Sequence, residues 1–153
     1  MKKYIQLICK TQGGLGLLIL RLVLGIIFFR AGMGKLMGWY GGPGIEGAAG
    51  FFTQLGLPAP LFQAYLVGIV EAAGGAALVL GLFTRLVSIP LAITMIVAML
   101  TAHRPQAGEE IEMAFYYVLI IFAGLTALID RGAGCISLDK KIGCCEECQS
   151  PQT

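Results

Sequence analysis

Four long apolar segments are the feature that most constrains what this chain can fold into. They cover about residues 15–38, 61–82, 86–102 and 113–129. A helix needs about 20 mostly apolar residues to cross the hydrocarbon core of a bilayer. Helices also satisfy their own backbone hydrogen bonds, which the lipid cannot do. The sequence therefore predicts an all-α fold, a four-helix transmembrane bundle surrounded by the lipid bilayer.

The composition excludes the common soluble classes. Of the 153 residues, 57% are apolar and 13% are charged. An average soluble domain is about 45–50% apolar and about 25% charged. The net charge is +2, and no basic stripe follows any segment, so nucleic acid is not an expected partner. A soluble enzyme and a disordered chain are both disfavoured.

The chain divides into a bundle and two flanking segments. We expect residues 1–14 to form a cytoplasmic N-terminus, residues 15–139 the bundle, and residues 140–153 a cysteine-containing cytoplasmic tail. Residues 45–60 are too short and too mixed to cross a bilayer. They predict a short helix on the membrane surface that ends before Pro58.

The expected orientation follows from the positions of lysine and arginine. One side of the predicted bundle carries seven basic residues: Lys2, Lys3, Lys10, Arg85, Arg131, Lys140 and Lys141. The other side carries Arg104 and Lys35. Because basic residues accumulate on the cytoplasmic side of a membrane, both termini are predicted to be cytoplasmic, and residues 39–60 and 104–112 to face outward.

Glu71 lies near the middle of the second predicted span. A carboxylate at that depth costs several kcal/mol unless it is paired or protonated. Gly68 and Gly75 share its helix face, and small residues let two helices approach closely. The sequence therefore predicts that Glu71 points into the bundle at a tight helix contact.

The expected partner of Glu71 lies on the first span. One face of that span has five residues at the offsets of a helical seam: Arg21, Gly25, Phe28, Gly32 and Lys35. Arg21 is the first choice, because we place it about 8 Å from the helix centre, within reach of its long side chain. Arg30 is closer to the midplane but off the seam, so it is the reserve partner.

Two interpretations of this pair stay open. Arg21 and Glu71 could only lock two helices together, or they could form a catalytic polar site for a proton or a quinone head group. Lys35 is a candidate cofactor-binding residue, although it could simply extend to the membrane surface. His103 could bind a cofactor or relay protons near neutral pH, or it could be a solvated loop residue.

Four cysteines follow the last span. Cys135, Cys144, Cys145 and Cys148 have the spacing C-x8-C-C-x2-C. Four thiolates could hold zinc or an iron–sulfur cluster, although adjacent cysteines rarely ligate one metal without strain. A thiol switch and a tail with incidental cysteines are the alternatives. The predicted cytoplasmic side favours reduced thiols over disulfides.

The order of several short motifs resembles a known family. They are RLVLG at 21–25, GMGKL at 32–36, LGLP at 55–58, VEAAGG at 70–75, GLFTR at 81–85 and SLD at 137–139. This pattern resembles the DoxX family of small four-helix membrane proteins of bacteria, over about residues 15–139. The tail cysteines lie beyond the pattern, and Arg30 departs from it.

The resemblance implies a location and a class of chemistry. It implies a multi-pass protein of the bacterial inner membrane, similar to subunits of a thiosulfate:quinone oxidoreductase or to members of thiol-handling assemblies, with quinone as a candidate cofactor. The family's polar positions match five residues here: Arg21, Lys35, Glu71, Arg85 and Asp139. The resemblance thereby makes Arg85 a second candidate cofactor-binding residue beside Lys35.

The leading functional prediction is a subunit that supports quinone-linked or thiol-linked redox chemistry with a protein partner or as a homo-oligomer. The chain has one histidine and no dinucleotide or phosphate-loop motif, so we do not expect complete catalytic machinery. The first alternative is a non-enzymatic scaffold that docks a redox enzyme. A small proton-coupled transporter is the second, although no internal repeat supports it.

Overall fold

The computed structural model describes residues 15–101 and 113–132, and these form five helices and no strand. The helices are α1 (Leu15–Met37), α2 (Gly44–Gln54), α3 (Pro60–Leu80), α4 (Thr84–Thr101) and α5 (Met113–Arg131). A short 3-10 turn, Trp39–Gly41, follows α1. Helices α1, α3, α4 and α5 are long and apolar enough to cross a membrane. The predicted all-α fold with four spans is confirmed.

The connections follow the turn residues in the sequence. Helix α2 lies where the short surface helix was predicted, and it ends at Gln54. Helix α3 begins at Pro60. The first N–H groups of a helix have no partner within it, so the missing N–H of a proline at this position removes no hydrogen bond. Helix α3 ends at Leu80 because Gly81 adopts a left-handed conformation with φ of 70°. The N–H groups of Gly81 and Leu82 then donate to the carbonyls of Leu78 and Ala77.

Glycines bring α1 and α3 into close antiparallel contact. A Cβ atom at Gly25 would lie 2.9 Å from the carbonyl oxygen of Gly75, and one at Gly75 would overlap the backbone of Phe29. A Cβ at Gly32 would overlap the backbone of Ala72. The two backbones therefore touch along about two turns of α1, as small residues allow between membrane helices.

Larger side chains fill the space between the other helices. Helix α4 packs against α5 and α3, and α5 also contacts α1. The largest fully buried apolar side chains are Phe28, Leu78, Leu91, Leu125 and Leu128. Many other large apolar side chains on the four long helices are exposed, which is the pattern of helices that face lipid.

The orientation of the bundle remains a prediction that cysteine labelling can test. We expect a variant that retains only Cys148 to stay unlabelled when a membrane-impermeant maleimide is applied to intact spheroplasts, and to be labelled after permeabilisation. The matched control is a cysteine-free chain with Glu46→Cys, because Glu46 is exposed on α2, in the segment predicted to face outward. Labelling of Cys148 but not of residue 46 in intact spheroplasts would reverse the orientation.

Candidate functional site

An ion pair between α1 and α3 is the centre of the candidate site. The Nζ atom of Lys35 donates to Oε2 of Glu71 at 2.5 Å. The Glu71 side chain is 4% exposed, whereas the Lys35 side chain is 26% exposed. Glu71 therefore points into the bundle as predicted, and the pair is open to its surroundings only on the lysine side.

The predicted Arg21–Glu71 pair is wrong, and the reason is the register of the two helices. Gly25 faces Gly75 and Val79, and Gly32 faces Gly68 and Ala72. Glu71 is therefore level with the C-terminal part of α1. Gly32, which faces Ala72 and is therefore level with Glu71, follows Arg21 by eleven residues, or about 16 Å along the helix at about 1.5 Å per residue. No arginine side chain spans that distance.

The predicted seam of α1 is nevertheless present. Four of its five residues are buried: Arg21, Gly25, Phe28 and Gly32. The fifth, Lys35, directs its ammonium group to Glu71 rather than to the membrane surface. The sequence therefore indicated the correct face of α1, but it did not indicate which residue of that face lies at the level of Glu71. The signal that could have found it is the spacing of the glycines, which fixes the register.

Arg30, the reserve partner, lies on a different face of α1. It is exposed, and its guanidinium carbon lies 5.0 Å from the centre of the Tyr40 ring. Arg30 therefore forms no ion pair with Glu71.

Arg21 and Arg85 lie toward the other end of the bundle. The Nη2 atom of Arg85 donates to the backbone carbonyl of Asp130 at 2.7 Å, at the C-terminal end of α5. A basic group there complements the partial negative charge of the helix end. Nine residues of α3 separate Glu71 from Leu80, the last residue before the turn to α4, which is about 14 Å. The structure thus does not bring Arg21 or Arg85 to the Lys35–Glu71 pair.

The remaining candidates lie outside the described residues. These are His103 and the proposed metal ligands Cys135, Cys144, Cys145 and Cys148. Within residues 15–101 and 113–132, no three histidine, cysteine or acidic side chains are grouped as metal ligands would be. The metal site in the tail therefore stays a prediction.

Small residues and an extra helix surround the pair. Gly32 and Ala72 meet beside it, and the Leu36 side chain lies over Gly68, where a Cβ would be 2.8 Å from the leucine Cδ2. Helix α2 packs against both α1 and α3. The pair thus sits in an apolar setting in which an ammonium can donate a hydrogen bond and a carboxylate can exchange a proton.

Comparison with known proteins decides the family. The DoxX family model matches residues 16–104. The chain belongs to the DoxX family. It is 40% identical over 127 residues to the protein named "Putative oxidoreductase CatD" of Bacillus subtilis, covering 82% of this chain and 85% of CatD.

Two further relatives carry names that give a location but no activity. An "Uncharacterized membrane protein" of Mycobacterium tuberculosis is 33% identical, covering 86% of this chain and 84% of that protein. The inner membrane protein YqjF of Escherichia coli is 28% identical, covering 86% of this chain and 95% of YqjF. No solved structure matches the chain. With four apolar spanning helices, this DoxX protein is a multi-pass protein of the bacterial inner membrane.

Proposed function

We propose that this DoxX protein is a subunit that supports quinone-linked or thiol-linked redox chemistry, with Lys35 and Glu71 as its polar site. The observation that carries the proposal is the ion pair itself, in which a buried carboxylate is bound by one ammonium between two apolar helices. Ionisable residues inside membrane proteins usually serve a function, since their desolvation is unfavourable. The relative CatD is named an oxidoreductase, which is consistent with redox chemistry.

The donor set fits a quinone. A quinone needs an apolar surface for its tail and a few polar groups that bind its carbonyl oxygens and supply protons. Lys35 would donate a hydrogen bond to a carbonyl oxygen, and Glu71 would hold and pass on a proton. When bound, the quinone supplies the two-electron chemistry that these side chains lack.

The difference in exposure sets the order of contact. Because only Lys35 is partly exposed, a ligand that approaches from outside the bundle meets the ammonium first. Glu71 then loses part of its hydrogen bonding to Lys35, unless a group of the ligand takes the place of the ammonium beside the carboxylate. In this proposal the two groups respond to one ligand in turn, with Lys35 binding it and Glu71 exchanging the proton.

Under this proposal a partner protein supplies the electrons, since the metal site in the tail is itself a prediction. The sequence has one histidine, which cannot provide a pair of haem ligands, and no dinucleotide-binding motif. We therefore assign electron supply to a partner redox protein that docks on the bundle.

The proposal is tested by the quinone that the protein retains. We expect the full chain, purified from bacterial membranes in mild detergent, to retain quinone that extraction and chromatography can measure. Glu71→Gln should keep the helical circular dichroism spectrum and retain at most about one tenth of the quinone that the wild-type protein retains. A tenfold loss of affinity corresponds to about 1.4 kcal/mol of binding free energy. The matched control is Glu46→Gln, because Glu46 is an exposed carboxylate on α2.

Two results would overturn the proposal. The first is wild-type protein that retains no quinone. The second is Glu71→Gln protein that retains as much quinone as wild type and the Glu46→Gln control. If in the second case a partner protein also co-purifies unchanged, the scaffold function replaces the redox site.

A further inference from the structure

An arginine lies on the lipid-facing side of α1. The outward stripe of this helix consists of Ile19, Val23, Ile26, Arg30 and Met37, all of them exposed. This stripe lies opposite the buried seam that contacts α3. A charged residue among exposed apolar neighbours in a membrane helix is unfavourable unless an opposite charge approaches it. Within residues 15–101 and 113–132, Arg30 takes part in neither of the two ion pairs.

The chain that follows α1 is folded so that an aromatic ring covers this arginine. Tyr40 has a φ of 59°, a left-handed conformation that only glycine adopts freely. Gly42 fits directly against the backbone of Gly34, where a Cβ would overlap it. This arrangement places the Tyr40 ring 5.0 Å from the guanidinium carbon of Arg30. The left-handed backbone of Tyr40 is unfavourable in itself, and it is the conformation in which the Tyr40 ring contacts Arg30.

The contact leaves part of the guanidinium group available. A cation–π contact uses the face of the ring, whereas the N–H donors of arginine lie in the plane of the guanidinium and suit the two oxygens of a phosphate. We propose that Arg30 and Tyr40 bind the phosphodiester of a phospholipid in the leaflet that surrounds the Trp39–Gly41 turn.

The depth of Arg30 fits a lipid phosphate. Arg30 precedes the last residue of α1, Met37, by seven residues, or about 10 Å along the helix. Long basic side chains near helix ends extend toward the membrane interface. Trp39 and Tyr40 follow α1, and such aromatic side chains concentrate at the level of the lipid head groups. The Arg30 side chain therefore points to the layer in which phosphates lie.

A second copy of the chain fits this face less well. Helix α1 contains no acidic residue, so a symmetric contact between two α1 stripes would place Arg30 near the same arginine of the other copy. Like charges across an interface are unfavourable. A phospholipid brings the missing negative charge together with apolar tails that match the rest of the stripe.

Trp39 allows a direct test, because it is the single tryptophan of the chain and lies next to Tyr40. The purified full chain in maltoside micelles is titrated with brominated phosphatidylcholine or with brominated diacylglycerol, whose tails are the same but which lacks the phosphate. Bromine atoms quench tryptophan fluorescence at short range. We expect brominated phosphatidylcholine to quench Trp39 at a mole fraction about tenfold lower than brominated diacylglycerol requires, because charge-assisted hydrogen bonds to the phosphate strengthen its binding. This lipid is net neutral, so general charge attraction is removed.

Variants of two exposed arginines complete the experiment. Arg30→Gln should abolish the preference for the phospholipid, whereas the matched control Arg131→Gln should keep it, because Arg131 is exposed at the far end of α5. Excess inorganic phosphate should leave the preference unchanged. The proposal is overturned if both lipids quench equally, if Arg30→Gln keeps the preference, or if inorganic phosphate removes it. It is also overturned if light scattering shows a dimer that Arg30→Gln converts to a monomer.

Discussion

Gly75→Leu should destabilise the bundle more than any other single glycine replacement in α3. A Cβ at Gly75 would overlap the backbone nitrogen of Phe29 and approach the carbonyl oxygen of Gly25 at 2.7 Å. Backbone atoms of a helix cannot rotate away as a side chain can, so α1 and α3 would have to separate along the whole contact. Inserting bulk into a packed interior typically costs about 1–3 kcal/mol and sometimes more. We expect a loss of about 3 kcal/mol in the free energy of unfolding.

The measurement is unfolding in mixed detergent micelles with increasing dodecyl sulfate, followed by circular dichroism. Gly16→Leu is the matched control, because Gly16 lies on α1 and a Cβ there meets nothing within 4 Å. It should change stability by less than about 0.5 kcal/mol, as substitutions away from packed sites usually do. Equal unfolding curves for the two variants would show that α1 and α3 are not in backbone contact in the membrane protein.

The fold could be predicted because each long helix has its own local signal. Length and apolar content identify four spans, and no tertiary contact is needed to form the backbone hydrogen bonds of a helix. Pro58 and Pro60 mark the break before α3, and Gly81 marks its end. The buried face of α1 was also predictable, since its small and polar residues recur at helical spacing.

The partner of Glu71 was mispredicted because depth was inferred from the midpoints of the helices. Helix α1 ends two residues after Lys35, whereas α3 extends eleven residues from Glu71 back to Pro60. The two helices are therefore offset rather than aligned at their centres. Helix α2 packs on both of them, and this offset arises from the tertiary packing rather than from either helix alone. Only matching Gly32 with Gly68 would have given the register.

The contact between Arg30 and Tyr40 lay beyond sequence reasoning for a different reason. It depends on a left-handed tyrosine in a turn rich in glycine, Gly38 and Gly41 among them. Residue preferences place glycine, not tyrosine, in that conformation. The surrounding structure must hold it, so no local pattern could indicate it.

The variant Lys35→Leu should also destabilise the bundle strongly, and it should harm the protein more than Glu71→Leu does. Removing one member of a buried ion pair typically costs about 3–5 kcal/mol, because the other charge is left without compensation. Lys35→Leu leaves the carboxylate of Glu71, which is 4% exposed, inside the bundle. Glu71→Leu leaves the partly exposed ammonium of Lys35, which can turn toward the membrane surface.

Combining the two leucine substitutions should restore most of the lost stability, because no unpaired charge then remains and the site gains apolar contact. The same dodecyl sulfate titration gives the coupling energy of the pair as a double-mutant cycle. The matched comparison is Arg21→Leu combined with Glu71→Leu, which should show no coupling, since about 16 Å of α1 separates Arg21 from Gly32, the residue level with Glu71. A coupling of Glu71 to Arg21 as strong as its coupling to Lys35 would contradict the register. If the stable double leucine variant of Lys35 and Glu71 retains no quinone, the pair is a site; if it retains quinone as wild type does, the pair only joins two helices.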